Sequence, residues 1–251
     1  MNSFFQLFSI NFKILYRNWR GMFWTIGLPV VLYIALAILK INIGGFLPKK
    51  VSYATYLLPG IIAFTLLQTG MFGLAYWMID LREKGILKRF QVTPISNSQL
   101  IGALISTRLV VMLVQVILLT GIGEIFFGTH LYGSSLVILL LLILGGSSFL
   151  CIGFLISTMA HSYEEASPMT TIVNIIFTFL GNVFFPTAIL PHGLREIGAV
   201  LPMTYLAQGL RVNYLPNGTV RAALPDIIAL LIWAIVLFFL AWASYRKIQE
   251  S

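Results

Sequence analysis

The chain has 251 residues, of which 59% are hydrophobic and 10% charged, with 16 Lys and Arg against 8 Asp and Glu and a mean hydropathy of +0.93. Such a balance excludes an ordinary soluble domain and places the body of the protein in a bilayer. The single cysteine, Cys151, lies inside an apolar run, which excludes a disulfide framework or a thiolate metal site within one chain. The excess of positive charge has no interleaved aromatic patch of the nucleic-acid-binding kind; it reads as contact with anionic lipid and a cytoplasmic partner, with no nucleic acid.

The first twenty residues predict an amphipathic helix. Phe5, Phe8, Phe12, Leu15, Tyr16 and Trp19 recur at helical spacing, while Lys13, Arg17 and Arg20 fall on another arc. An apolar arc beside a basic one describes a helix lying in the headgroup plane, and the basic residues follow the apolar ones, which is not the order of a secretory signal peptide. Runs long enough to cross the hydrocarbon core, about 20 apolar residues, follow at 22–39, 51–79, between Arg108 and Glu124, within 125–163, within 166–194, and at 227–245. They are apolar on all sides and lack period-two alternation, so helices and not barrel strands are expected. The fold class is an all-α integral membrane protein: about six transmembrane helices, an N-terminal interfacial helix at 1–20, and short re-entrant external helices at 187–222 before the last span. A single transmembrane domain covers 1–251. Nine Lys and Arg, among them Lys13, Arg82, Lys84, Arg89 and Arg246, fall on one side, which puts both termini in the cytoplasm of a multi-pass protein of the cell membrane, here taken as bacterial.

Between the second and third spans lies a charged loop, 80–98. Asp80 and Lys84 are spaced to pair on a helix, Gly85 loosens the chain and Pro94 stops it. Ile86, Leu87 and Phe90 offer an apolar knob in a basic setting, suited to a groove on a soluble domain. Asp80, Arg82, Glu83, Gly85, Leu87, Arg89, Phe90 and Pro94, with Glu164 and Glu165 of a second turn, are the candidate partner-docking residues. His130, His161 and His192 lie far apart with no metal-ligand spacing, so no metal site is expected. No phosphate loop, nucleophile elbow or HExxH helix occurs, so no catalytic site is expected either.

The segment from Arg82 through Ser96, REKGILKRFQVTPIS, resembles the loop of ATP-binding-cassette type-2 export permeases. A second block agrees: Phe184-Phe185-Pro186, Leu190-Pro191, and Leu201-Pro202-Met203-Thr204-Tyr205 through Gly209-Leu210-Arg211 look like that family's late segment, and Tyr56-Leu57-Leu58-Pro59-Gly60 like the start of its second span. Ile86 and Lys88 depart from the usual Thr and Glu of the loop, and Asn182 from a frequent Ser-Gly pair. The resemblance implies the membrane half of an exporter that pairs with a second permease copy, a homodimer, and takes a separate nucleotide-binding ATPase from the cytoplasm. It implies no cofactor on this chain, with ATP and Mg held by that partner, and a permease that is not itself an enzyme.

Thr170, Asn174, Thr178 and Asn182 form a polar stripe along the fifth run, after Ser167-Pro168, and Thr65, Gln68 and Thr69 do so on the second. Buried polar groups in lipid seek a partner or a wet cavity, so these seven are the candidate translocation path, with helix-to-helix hydrogen bonding as the alternative role. The stripes carry no charge, which favours a hydrophobic or amphipathic substrate, a drug, antimicrobial or lipid. A glycan or lipid-linked glycan is the near alternative, and an ion-coupled carrier using Glu124 the distant one.

Overall fold

The computed structural model describes residues 3–39, 51–86, 97–215 and 218–250; Leu87, Arg89, Phe90 and Pro94 of the expected docking loop lie outside the described residues. All the regular structure among them is helical. Among the described residues nine helices run in chain order: α1 (Ser3–Arg17), α2 (Trp19–Ile38), α3 (Tyr53–Glu83), α4 (Asn97–Phe127), α5 (Ser135–Met159), α6 (Tyr163–Leu180), α7 (His192–Val200), α8 (Pro202–Tyr214) and α9 (Val220–Glu250), with a 3-10 turn at Thr187–Ile189. Five of these, α2, α3, α4, α5 and α9, are long and apolar enough to cross a membrane. The protein is an all-α integral membrane protein.

α3 is the axis. Of its most apolar window 83% is buried, against 17% for α2 and for α9, so the outer helices turn most of their apolar surface outward, as lipid-facing helices do. Ser52 caps α3 by accepting from the Thr55 amide at 3.2 Å. Gly60, about two turns further on, lets the Val183 carbonyl oxygen approach so closely that a Cβ there would overlap it. At the far end Gly85 takes a left-handed φ of +64° and ends the helix. Arg82 is turned inward there, donating to the carbonyls of Ser157 and Ala160 at 2.9 and 3.2 Å, the last carbonyls of α5. The expected Asp80 and Lys84 pair forms, at 2.7 Å.

α1 is shorter than the sequence suggests. Asn18 leaves the helix and caps α2, its side chain accepting from the Gly21 amide at 3.1 Å, so Trp19 belongs to the next element. Leu7, with Phe4 and Phe8 around it, packs on Leu100 and Ala103 of α4 and on Trp77 of α3, while Phe5, Phe12 and Tyr16 stay exposed with Lys13 and Arg17.

The fifth apolar run, 166–194, is only partly helical. α6 has 18 residues, about 27 Å at 1.5 Å per residue. Ser162 caps it, accepting from the Glu165 amide at 3.3 Å, and the Glu165 carboxylate reaches back to the His161 amide at 2.8 Å, close to a capping box. The helix stops at Gly181, where the chain turns through a left-handed Asn182. Beyond it α7 and α8 form a hairpin that reaches into the bundle. Trp233 donates its indole N–H to the Val200 carbonyl at the hairpin's tip, and Trp233 is thirteen residues into α9, about 20 Å along its axis. α8 is buried along nearly its whole length. Two short helices thus stand where the sequence places them, before the last long helix.

Candidate functional site

Two π turns interrupt otherwise regular helices, Phe23–Gly27 in α2 and Gln68–Phe72 in α3. Such turns leave backbone groups off the i to i+4 ladder and often mark functional sites. Both line one cavity of about 530 Å³, whose walls also take in Tyr76 and Trp77 of α3, Arg108 of α4 and Tyr163 of α6. Its polar lining is tightly wired. Thr69 donates to the Gln115 side-chain carbonyl at 3.0 Å, and the Gln115 amide donates to the Thr25 carbonyl at 3.0 Å, so one buried glutamine on α4 ties the two π turns together. Arg108 donates to the Gly73 carbonyl, just after the second π turn, at 2.8 Å. Tyr163 donates to the Tyr76 carbonyl at 3.1 Å, and the Tyr76 and Thr170 hydroxyls meet at 3.1 Å. The aromatic wall is continuous: Phe72 to Tyr76 to Tyr163, with ring centroids 5.6 and 5.4 Å apart.

Of the seven expected path residues, Gln68 and Thr69 line this cavity and Thr170 stands behind Tyr76. Thr65 is buried and donates back to the Ile61 carbonyl at 2.7 Å. Thr178 donates to the Asn174 side-chain carbonyl at 3.3 Å on the same helix. Asn182 is elsewhere, accepting from the Tyr56 hydroxyl at 2.7 Å. The stripe on α6 therefore turns towards the protein body, and the face left exposed carries Ile172, Ile175 and Phe179. Among the docking candidates, Asp80 also lines the cavity, Glu83 and Glu164 are exposed, and Arg82 and Glu165 are engaged in the bonds already described. Tyr76, Arg108, Gln115 and Tyr163 were not among the expected path residues. The signal for two of them was present: Arg108 and Gln115 are a charge and an amide inside a helix that is otherwise almost wholly apolar.

At the opposite end a second polar knot closes the bundle. Arg211 of α8 donates to the carbonyls of Tyr56, at 3.0 Å, of Asn182, and of Val183, at 3.2 Å, and its guanidinium lies 3.8 Å from the centroid of the Tyr56 ring. Burial pulls its pKa down to about 10, so it stays a cation at neutral pH.

A helical body with apolar, membrane-length helices, two of them interrupted around a polar-floored cleft, and a buried helical hairpin is an architecture that suits a membrane permease. The model of the ABC-2 family transporter proteins matches residues 40–243, and the chain belongs to that family. It is 24% identical over 197 residues to the inner membrane transport permease YadH of Escherichia coli strain K12, covering 78% of this chain and 76% of that protein. It is 27% identical over 166 residues to the ycf38 protein of Porphyra purpurea, covering 65% and 56%. With the nodulation protein J of Rhizobium meliloti it shares 30% identity over 130 residues, covering 51% and 49%.

Proposed function

We propose that this ABC-2 transport permease moves a hydrophobic or amphipathic molecule, a drug, antimicrobial or lipid, outward across a bacterial cell membrane, using ATP hydrolysed by a separate subunit. The observation that carries this reading is the cleft: aromatic walls for an apolar body, a hydrogen-bonding floor for a polar end, and a volume of about 530 Å³ within the range of small-molecule sites. α6, 18 residues long, is the sixth crossing in this reading, so both termini and the loop that follows α3 face the cytoplasm. The ATPase docks on Asp80, Glu83 and Gly85, continues over Leu87, Arg89, Phe90 and Pro94, and meets Glu164 of the neighbouring turn. A second copy of the chain completes the transporter, and this chain hydrolyses nothing itself, ATP and Mg belonging to its partner. A glycan or lipid-linked glycan remains the near alternative as cargo. The ion-coupled carrier is disfavoured: Glu124 is exposed near the end of α4, 3.8 Å from His130, and is not buried in a path.

The test is copurification. The full chain expressed with a nucleotide-binding ATPase subunit of its own host should hold that subunit in detergent, and inverted vesicles should then accumulate a fluorescent amphiphile only with ATP. Phe90→Asp and Glu83→Lys should each release the ATPase. Retention of the ATPase in both variants would remove the docking assignment, and uptake independent of ATP would remove the exporter.

A further inference from the structure

Arg108 is a cation held deep in the bundle with little to hold it. Its helix starts at Asn97, so it lies eleven residues, about 16 Å, from the α1 end. It does not reach back to that surface: its guanidinium bonds Gly73, ten residues above the end of α3, at about 15 Å. One N–H is used there, and among the described residues no carboxylate pairs with it. Asp80, on the same cavity, is neutralised by Lys84 at 2.7 Å. A cation at this depth is costly unless an anion or water meets its free donors.

The space around it points to the anion. Arg108 lines the main cleft and also a smaller cavity of about 190 Å³ between α1, α2 and α4, walled by Phe12, Tyr16 and Met22. The guanidinium therefore stands between an aromatic cleft in the bundle and an apolar opening beside the exposed aromatic face of α1. A free phosphate would gain nothing from those walls; a head with a hydrocarbon tail would use both. We propose that Arg108 is the headgroup site of an anionic amphiphile, a phosphate or carboxylate on an alkyl chain, whose head takes the free guanidinium donors as a forked pair and whose chain lies against Trp24, Phe72 and Trp77. This rests on the exporter reading above and narrows its substrate class to anionic amphiphiles.

Two tryptophans of the cleft, Trp24 and Trp77, report occupancy directly. In full-length protein with Trp19, Trp233 and Trp242 replaced by Phe, reconstituted in phosphatidylcholine vesicles, bromododecyl phosphate should quench their fluorescence at a roughly tenfold lower membrane concentration than bromododecanol. Arg108→Gln should abolish the difference, and Arg108→Lys, which keeps the charge but not the fork, should retain part of it. Equal quenching by phosphate and alcohol in protein with Arg108 intact would overturn the proposal without recourse to a variant. Displacement of the bromododecyl phosphate by millimolar inorganic phosphate would overturn it too, in favour of a free-anion site. The assay needs neither ATP nor the ATPase. Anion preference without ATP-driven transport would leave the site standing and remove the exporter; transport without anion preference would do the reverse.

Discussion

Arg211 directs its fork at three carbonyls and its face at one aromatic ring, and those carbonyls belong to α3 and to the irregular turn after α6. The second is a place where backbone oxygens lack helical partners, because the chain there is not helical. Removing the guanidinium leaves buried carbonyls unmet, so Arg211→Met should cost about 3 kcal/mol of stability, read as a lower unfolding midpoint in detergent. Arg211→Lys should rescue little, since an ammonium lacks the planar fork. Tyr56→Phe, which removes only the bond to Asn182, should cost about 1 kcal/mol. A Lys variant as stable as wild type would mean that charge, and not geometry, holds this knot. The resemblance of 201–211 to a family block was legible, but not the role of its arginine: the acceptors are 155 and 29 residues away, beyond any local pattern. Gln115 escaped for the same reason, bridging Thr69 and Thr25 at separations of 46 and 90 residues.

At the scale of elements, the spans were legible because a bilayer demands length and apolarity and little else. Where helices end was less so. The period of the first twenty residues does not reveal that Asn18 would rather cap than continue, an alternative Asn offers wherever it meets a helix start. The run at 166–194 looked like one span because apolarity does not distinguish a helix from a packed turn; its last third is a descending loop fitted against Gly60 and Tyr56. Thr170, Asn174 and Thr178 of the expected stripe lie on α6 and Asn182 beyond its end, and composition does not say that Thr170 meets Tyr76 of a neighbouring helix. α1 offers a check on the interfacial reading. Leu7 is docked on α4 and the exposed arc holds Phe5, Phe12 and Tyr16, so a fluorescent probe at position 12 should be quenched by shallow lipid-borne quenchers. Changing Lys13, Arg17 and Arg20 together to Glu should weaken that quenching, each basic group near anionic lipid contributing about 1 kcal/mol. A probe fully open to water in the wild type would make α1 a cytoplasmic arm.

Across the whole molecule, α3 joins three things that function would have to couple. Its first turns carry the Tyr56 face of the Arg211 knot, its π turn and following residues line the cleft, and its last turn leads into the loop proposed to receive the ATPase. A buried helix transmits displacement because close-packed interiors do not absorb it. The inward-turned Arg82 is the brace at the driven end, holding α3 to the last carbonyls of α5 at 2.9 and 3.2 Å. It is half-buried and bonded within the chain, which separates its role from that of Glu83, exposed beside it. Arg82→Gln should therefore leave the ATPase bound in pull-downs but lower ATP-driven uptake, by roughly tenfold if the brace contributes about 1.4 kcal/mol to the coupled state. Glu83→Lys should instead lose the ATPase and uptake together. The discriminating measurement is copurified ATPase against transport rate for the two variants side by side. If Arg82→Gln releases the ATPase as completely as Glu83→Lys does, Arg82 belongs to the docking surface, and the push on α3 must travel to α5 through packing alone.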